Sequence, residues 1–313
     1  MENKVIVSSS PHIRSDASVD KIMKDVVIAL IPAMIASVYF FRLGAVKAIL
    51  VAVVGALVAE AAVQKIRKQT ITVKDYSAAV TGILLALNVP ASAPWWISFI
   101  GSVFAIVVVK QIFGGLGHNF MNPALAGRAL LVASWPVHMT NWITPGADAV
   151  STATPLAILS GEAGVDAILP SLKDLFIGNI GGCIGETSAL FLLIGGMYLV
   201  YRRVISPRIP LIYMGTVAVL TFVLGGFDFY LTIYYILAGG LMLGAIFMAT
   251  DYTTSPMTAK GQIIYAIGCG VLTTIIRLYG GYPEGVTYSI LLMNVATPMI
   301  DRYIHPKLFG EVK

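Results

Sequence analysis

Charge is what this chain has least of. Only 12% of its 313 residues are Asp, Glu, Lys or Arg, and 57% are hydrophobic, whereas soluble domains carry about 25% charged residues. With a mean hydropathy of +0.83, the polar surface is too small to cover a soluble globule. The chain reads as an integral membrane protein. Cysteine is scarce as well. Cys183 and Cys269 are the only two, both lie in apolar runs, and neither belongs to a CxxC or a Cys/His cluster. That pattern reads as buried thiols, not as a disulfide or zinc framework. His12, His118, His138 and His305 show no ligand spacing such as HxxxH, so no metal site is expected from them. The net charge of +5 is not gathered into a basic patch interleaved with aromatics, which argues against nucleic acid as a partner. The first 25 residues are polar and lack a small-residue cleavage site, so the first span is expected to act as an uncleaved anchor.

What is there in abundance is apolar sequence. A spanning helix needs about 20 mainly apolar residues. Runs between charges and turn signals give ten candidates, at about 22–41, 45–64, 76–90, 95–112, 119–135, 182–201, 210–226, 229–248, 262–279 and 285–304. The third and fifth are short, as segments lining a site often are. With the N-terminus in the cytoplasm, 16 Lys and Arg residues fall inside and 3 outside. That bias places both termini inside. It divides the chain into a cytoplasmic segment 1–21, a five-helix repeat 22–135, an extracytoplasmic loop 136–181, a second five-helix repeat 182–304 and a cytoplasmic tail 305–313.

The two halves echo each other. Gly82 to Pro94, with Asn88 and Pro90, resembles Gly244 to Pro256, with Thr250 and Asp251. Phe113-Gly114-Gly115 echoes Tyr279-Gly280-Gly281. Five spans per half give opposite topologies, so the expected fold is all-α and polytopic. It consists of two inverted repeats, with short or re-entrant segments near their interface and a site between the halves.

Charges inside apolar runs are costly and mark function or pairing. Glu60 reads as interfacial, because Gln64 and Lys65 follow one turn later. Glu186, in Gly181-Gly182-Cys183-Ile184-Gly185-Glu186, and Asp251 are candidates for an ion path. A carboxylate that simply caps or pairs would look the same. Gly117 to Arg128 contains a tight Gly-rich entry and then Asn122-Pro123 opening a helix. The unpaired N–H groups of a helix start suit a phosphate or a polar ring edge, and Arg128 suits an anion.

Several motifs in one order then carry a resemblance: Ser10-Pro11-His12 before Ile22 to Val26, Asn122-Pro123-Ala124 with Gly127-Arg128, Ser151 to Leu156, Ile184 to Ser188, and Met248 to Asp251. In these the chain resembles the D subunits of Rnf complexes, the ion-translocating ferredoxin:NAD oxidoreductases. It is more distantly similar to the B subunits of sodium-pumping NADH:quinone oxidoreductases. The resemblance implies FMN joined through its phosphate to a threonine in an Asp-x-x-Ser-Gly/Ala-Ala-Thr pattern. Here Asp148, Ser151, Thr152, Ala153, Thr154 and Pro155 take those places, Thr154 as acceptor and Thr152 where Gly or Ala is usual. It also implies a flavin transferase acting outside the cell (inner) membrane, the A, B, C, E and G subunits of Rnf as partners, and Asn122 and Arg128 as contacts for a flavin. A noncovalent riboflavin between the halves is part of the same expectation. NAD and ferredoxin would bind partner subunits, since the chain has no Rossmann fingerprint and no cysteines for an iron–sulfur cluster of its own. Electron relay coupled to Na+ or H+ movement is the implied role. A channel or secondary transporter of the same plan, or a purely structural anchor, are the alternatives that the residues themselves leave open.

Overall fold

A computed structural model of the chain describes residues 18–146, 151–161, 169–280 and 284–304. It is mostly helical. Ser18 caps α1 (Val19–Ile66), its hydroxyl accepting from the Lys21 N–H at 3.4 Å. A non-helical residue, Arg42 (φ 47°, ψ −127°), breaks α1 into two arms that coincide with the first two expected spans. Along the second arm Ala45, Ala48, Ala52, Gly55, Ala56 and Ala59 recur at helical spacing and are buried. This small-residue face lets neighbouring backbones approach. A Cβ on Gly82 of α2 (Ser77–Leu87) would lie 2.8 Å from Val53 Cα.

Irregular chain from Asn88 leads into α3 (Trp95–Gln111), whose last turns widen to π-helix from Ala105. Asn122 caps α4 (Pro123–Ser134), its side-chain oxygen accepting from Leu125 N–H at 3.2 Å with Pro at the first helical position. A short turn α5 (Pro136–Met139), an antiparallel pair β1 (Trp142–Ile143) and β2 (Ser151–Thr152), and two short helices, α6 (Pro155–Leu159) and α7 (Leu172–Ile177), separate the halves. The second half holds α8 (Ala189–Tyr201), α9 (Arg208–Leu224), α10 (Phe229–Leu237), α11 (Leu241–Met248), α12 (Ala259–Tyr279) and α13 (Val286–Tyr303).

Among the described residues α1 and α12 are each long and apolar enough to cross a membrane, and α10 with α11, bent by 64°, makes a third such unit. Helices α2, α3, α4, α8 and α9 are apolar but shorter. The sixth expected span starts at Ala189 instead of 182, because Gly178 to Ser188 runs without helix. Its backbone bonds to the irregular end of α2 instead: Ile184 N–H to Val89 O at 3.1 Å and Gly185 N–H to Leu87 O at 2.8 Å. Non-helical backbone inside an apolar bundle needs such partners. The two echoing segments also meet, Asn88 Nδ2 lying 3.7 Å from Met248 Sδ. One apolar core joins residues of α1, α2, α4, α8, α9, α11, α12 and α13, including Leu30, Leu85, Leu131, Leu192, Tyr213 and Ile290.

Candidate functional site

The break between α10 and α11 organises the site. Gly239 (φ 69°) and Gly240 follow Ala238 and leave the last carbonyls of α10 without helical partners. Arg277, on α12 and 4% exposed, takes them up: its guanidinium donates to Tyr235 O at 2.5 Å and Ala238 O at 3.2 Å, and to Glu284 O at 3.1 Å. A cation at a helix C-terminus is favoured by the helix dipole. Glu186 approaches from the other side, where α11 begins. Its Oε1 accepts from Cys183 N–H at 2.9 Å. Its Oε2 would lie 2.9 Å from a Cβ on Gly240, so a side chain there would push the carboxylate aside.

Arg128, also 4% exposed, ties this arrangement to the first half. It donates to Asn88 Oδ1 at 2.6 Å and to Cys183 Sγ at 3.4 Å. It pairs closely with Glu284 Oε2 and loosely, at 3.9 Å, with Glu186 Oε2. Glu186, Arg128 and Arg277 are thus buried together with Glu284, 21% exposed, at their edge, and pairing is what makes burial of such charges tolerable.

Thr154 sits at the edge of this cluster. Although it belongs to the loop between the halves, Thr154 is only 6% exposed. It is the N-cap of α6, its Oγ1 accepting from Ala157 N–H at 3.2 Å. The apolar residues after it pull it in, Leu156 packing with Leu175, Ile180 and Tyr234. Thr154, Gly181, Glu186, Gly239 and Glu284 line a cleft of about 10 Å3, room for a single water. Thr154, an alcohol, fits a phosphoryl acceptor. The cleft does not fit a three-ring flavin, so the ring of a flavin carried on Thr154 would lie outside it. Asp148 falls outside the described residues, as do His12 and His305.

A second place gathers the other candidates. Asn122 and Asp251 line a cavity of about 100 Å3 with Lys110, Asn119, Leu199 and Phe247. It is separated from the cluster by the length of α11, about 12 Å at 1.5 Å per residue. Asn122 and Arg128, expected to serve one ligand, therefore face different sites. They lie almost two turns apart on α4, and Arg128 points to Asn88 and Glu186. The Asp251 carboxylate accepts from the hydroxyls of Thr253 at 3.1 Å and Thr254 at 3.2 Å. Glu60 is 1% exposed and accepts from Lys110 Nζ at 2.8 Å.

The family model described as NQR2, RnfD, RnfE matches residues 6–310. The chain belongs to this family. It is 56% identical over 315 residues to the D subunit of the Na(+)-translocating ferredoxin:NAD(+) oxidoreductase complex of Acetobacterium woodii, covering 100% of this chain and 97% of the relative. It is 47% identical to the D subunit of the proton-translocating ferredoxin:NAD(+) oxidoreductase complex of Clostridium ljungdahlii, covering 99% and 97%. The D subunit of the ion-translocating oxidoreductase complex of Halorhodospira halophila is 37% identical, covering 97% and 95%.

In this member of the NQR2, RnfD, RnfE family, sequence reasoning finds Arg128, Glu186 and Thr154 but misses their partners. Cys183 reads in sequence only as a buried thiol, while Arg277, Glu284 and Asn88 are given no site role there. A signal exists for two features: Gly239-Gly240 in mid-span marks a broken helix, and Arg277 is the buried cation such a break requires.

Proposed function

We propose that the chain is the D-type membrane subunit of an ion-translocating ferredoxin:NAD oxidoreductase, carrying FMN on Thr154 and relaying electrons between partner subunits. Thr154, seated at a buried charge cluster on a broken helix in a chain of this family, is the observation that carries the reading. A flavin exchanges one or two electrons and so links one-electron carriers to two-electron chemistry. This chain's part is to hold and orient it: the α6 turn fixes Thr154, Leu156 anchors the turn, and Arg128 and Arg277 supply positive charge nearby for a phosphodiester. Since Thr154 Oγ1 is a buried cap, the extracytoplasmic transferase meets the acceptor before the turn docks.

Ten spans in two inverted repeats, both termini in the cytoplasm and the Thr154 loop outside complete the reading. The A, B, C, E and G subunits of Rnf are the partners, and those subunits bind NAD and ferredoxin. A noncovalent riboflavin between the halves belongs to the same reading, and the cavity beside Asn122 and Asp251, about 100 Å3, would have to widen to admit it. Glu186 and Asp251 serve the path of Na+ or H+. A broken helix is equally the mark of a transporter without redox chemistry, and one measurement separates the two. The chain is made with its flavin transferase, as wild type and Thr154→Val, and viewed for flavin fluorescence on a denaturing gel. The expected result is a fluorescent wild-type band and a dark variant. A dark wild-type band, with the transferase active on another substrate, refutes the flavin reading in favour of the transporter.

A further inference from the structure

The turn that joins α1 to α2 carries Lys65, Arg67, Lys68 and Lys74, all exposed. Among the described residues none of the four pairs with a carboxylate. Asp75, the one acid between Ile66 and Tyr76, spends its Oδ1 on the N–H and hydroxyl of Ser77, at 2.8 and 2.6 Å. The turn is nevertheless held in place. Gln64 grips Thr72 with both ends of its amide, Oε1 accepting from Thr72 N–H at 2.9 Å and Nε2 donating to Thr72 Oγ1 at 2.8 Å. Arg67 Nη1 donates to Gln111 O at 2.5 Å, which ties the turn to the end of α3. The other N–H groups of that guanidinium have no acceptor among the described residues. Large apolar side chains stand exposed among these cations. Ile66 is 80% and Ile71 59% exposed, and Ile112 and Phe113, also exposed, follow the Gln111 that Arg67 holds.

From this we infer that the corner between this turn and the end of α3 binds an acidic phospholipid. The cations take its phosphate, and Ile66, Ile112 and Phe113 take the start of its acyl chains. Charge complementarity names the occupant. A zwitterionic headgroup brings its own ammonium, which unpaired cations repel, whereas a headgroup of net negative charge is attracted by all of them. Arg67, with one arm pinned, presents a pre-set fork to two phosphate oxygens. The position along the membrane also fits. Exposed apolar residues run along α3 from Trp95 through Phe99 and Val108 to Ile112. That is about 25 Å at about 1.5 Å per residue, close to the hydrocarbon core of a bilayer, about 30 Å. Tryptophan at one end and cations at the other are the side chains that sit at the two interfaces. Arg202 lacks this setting, because Asp25 already neutralises it. The inference goes beyond the proposed function and needs neither the flavin nor the ion path.

The test is native mass spectrometry of the purified full chain in non-ionic detergent, titrated with equal amounts of phosphatidylglycerol and phosphatidylcholine of matched acyl chains. Wild type should retain phosphatidylglycerol with a preference of at least about tenfold, since each cation near an anionic headgroup adds about fivefold. Lys65→Gln/Lys68→Gln/Lys74→Gln should bring the preference close to one. These side chains are exposed, so the unfolding midpoint without lipid should stay that of wild type. Arg203→Gln/Arg208→Gln/Lys260→Gln removes as many exposed cations elsewhere and should leave the preference intact. Inorganic phosphate should not displace the lipid, because the apolar side chains hold part of it. Absence of preference in wild type overturns the inference and leaves the corner to an acidic protein face. Equal loss in the two triple variants overturns it as well, since overall charge would then suffice. Displacement by inorganic phosphate would reduce the corner to a plain anion site and so overturn the lipid assignment.

Discussion

Replacing Lys110 with Met should destabilise the chain far more than removing a visible surface pair. Lys110 is 2% exposed, and its Nζ donates to Glu60 Oε1 at 2.8 Å and Ser77 Oγ at 2.6 Å. Glu60 Oε1 also accepts from Gln111 at 2.8 Å and Gln64 at 3.5 Å, but among the described residues Glu60 Oε2 has no hydrogen-bond partner. The gross attraction at 2.8 Å is about 6 kcal/mol at an effective dielectric of 20, and desolvation offsets much of it. What Lys110→Met leaves behind is a buried carboxylate with two amides for company, which costs about 3–5 kcal/mol. At roughly 2 °C per kcal/mol for a chain of this size, the unfolding midpoint should fall by about 6–10 °C. Glu60→Met/Lys110→Met removes both charges and should recover most of that loss. Arg202 and Asp25 provide the contrast: their pair spans 3.2 Å, but Arg202 is 52% exposed, so Arg202→Met should lower the midpoint far less than Lys110→Met. Thermal unfolding of the four proteins in one detergent checks this. A Lys110→Met shift below that of Arg202→Met, or a double variant no more stable than Lys110→Met, would refute the reasoning.

Two further outcomes follow from glycines at close approaches. Gly239→Val is strained at φ 69° and would drive a Cβ to 2.6 Å from Leu156 Cδ1, so it should undock the α6 turn. In a Thr154→Cys background an impermeant maleimide should then label position 154 at least about tenfold faster; an unchanged rate would mean that Leu156 does not hold the turn. Gly185→Ala sets a Cβ against Leu87 and opens the 2.8 Å bond between Gly185 N–H and Leu87 O. It should cost about 1–3 kcal/mol, seen as a lower unfolding midpoint.

Much of the helix plan is legible in the sequence because it depends on local composition. Apolar runs bounded by charge give segments close to α1, α4, α9, α12 and α13. Asn122-Pro123 announces the start of α4 by capping chemistry. The exceptions are places where two distant stretches satisfy each other. Gly181 to Ser188 is apolar enough to read as helix, yet its backbone pairs with Leu87 and Val89. No periodicity within 182–201 encodes a partner almost a hundred residues upstream.

The same distinction explains the site. Single buried charges stand out in an apolar sequence, so Glu186, Arg128 and Asp251 are visible one by one. Their pairing is not, because it is set by which helices cross and where they break. The Gly239-Gly240 break turns the end of α10 toward Arg277 and the start of α11 toward Glu186. That single bend gives each half-helix a charge of the sign its dipole favours, and the two charges bring Glu284 and Arg128 with them. Thr154 enters through packing: Leu156 fits over the Cα of Gly239, where any side chain would collide with it. The bend that frees the helix ends is thus also the feature that seats Thr154, so a substitution at Gly239 should disturb the charge cluster and the proposed flavin anchor together.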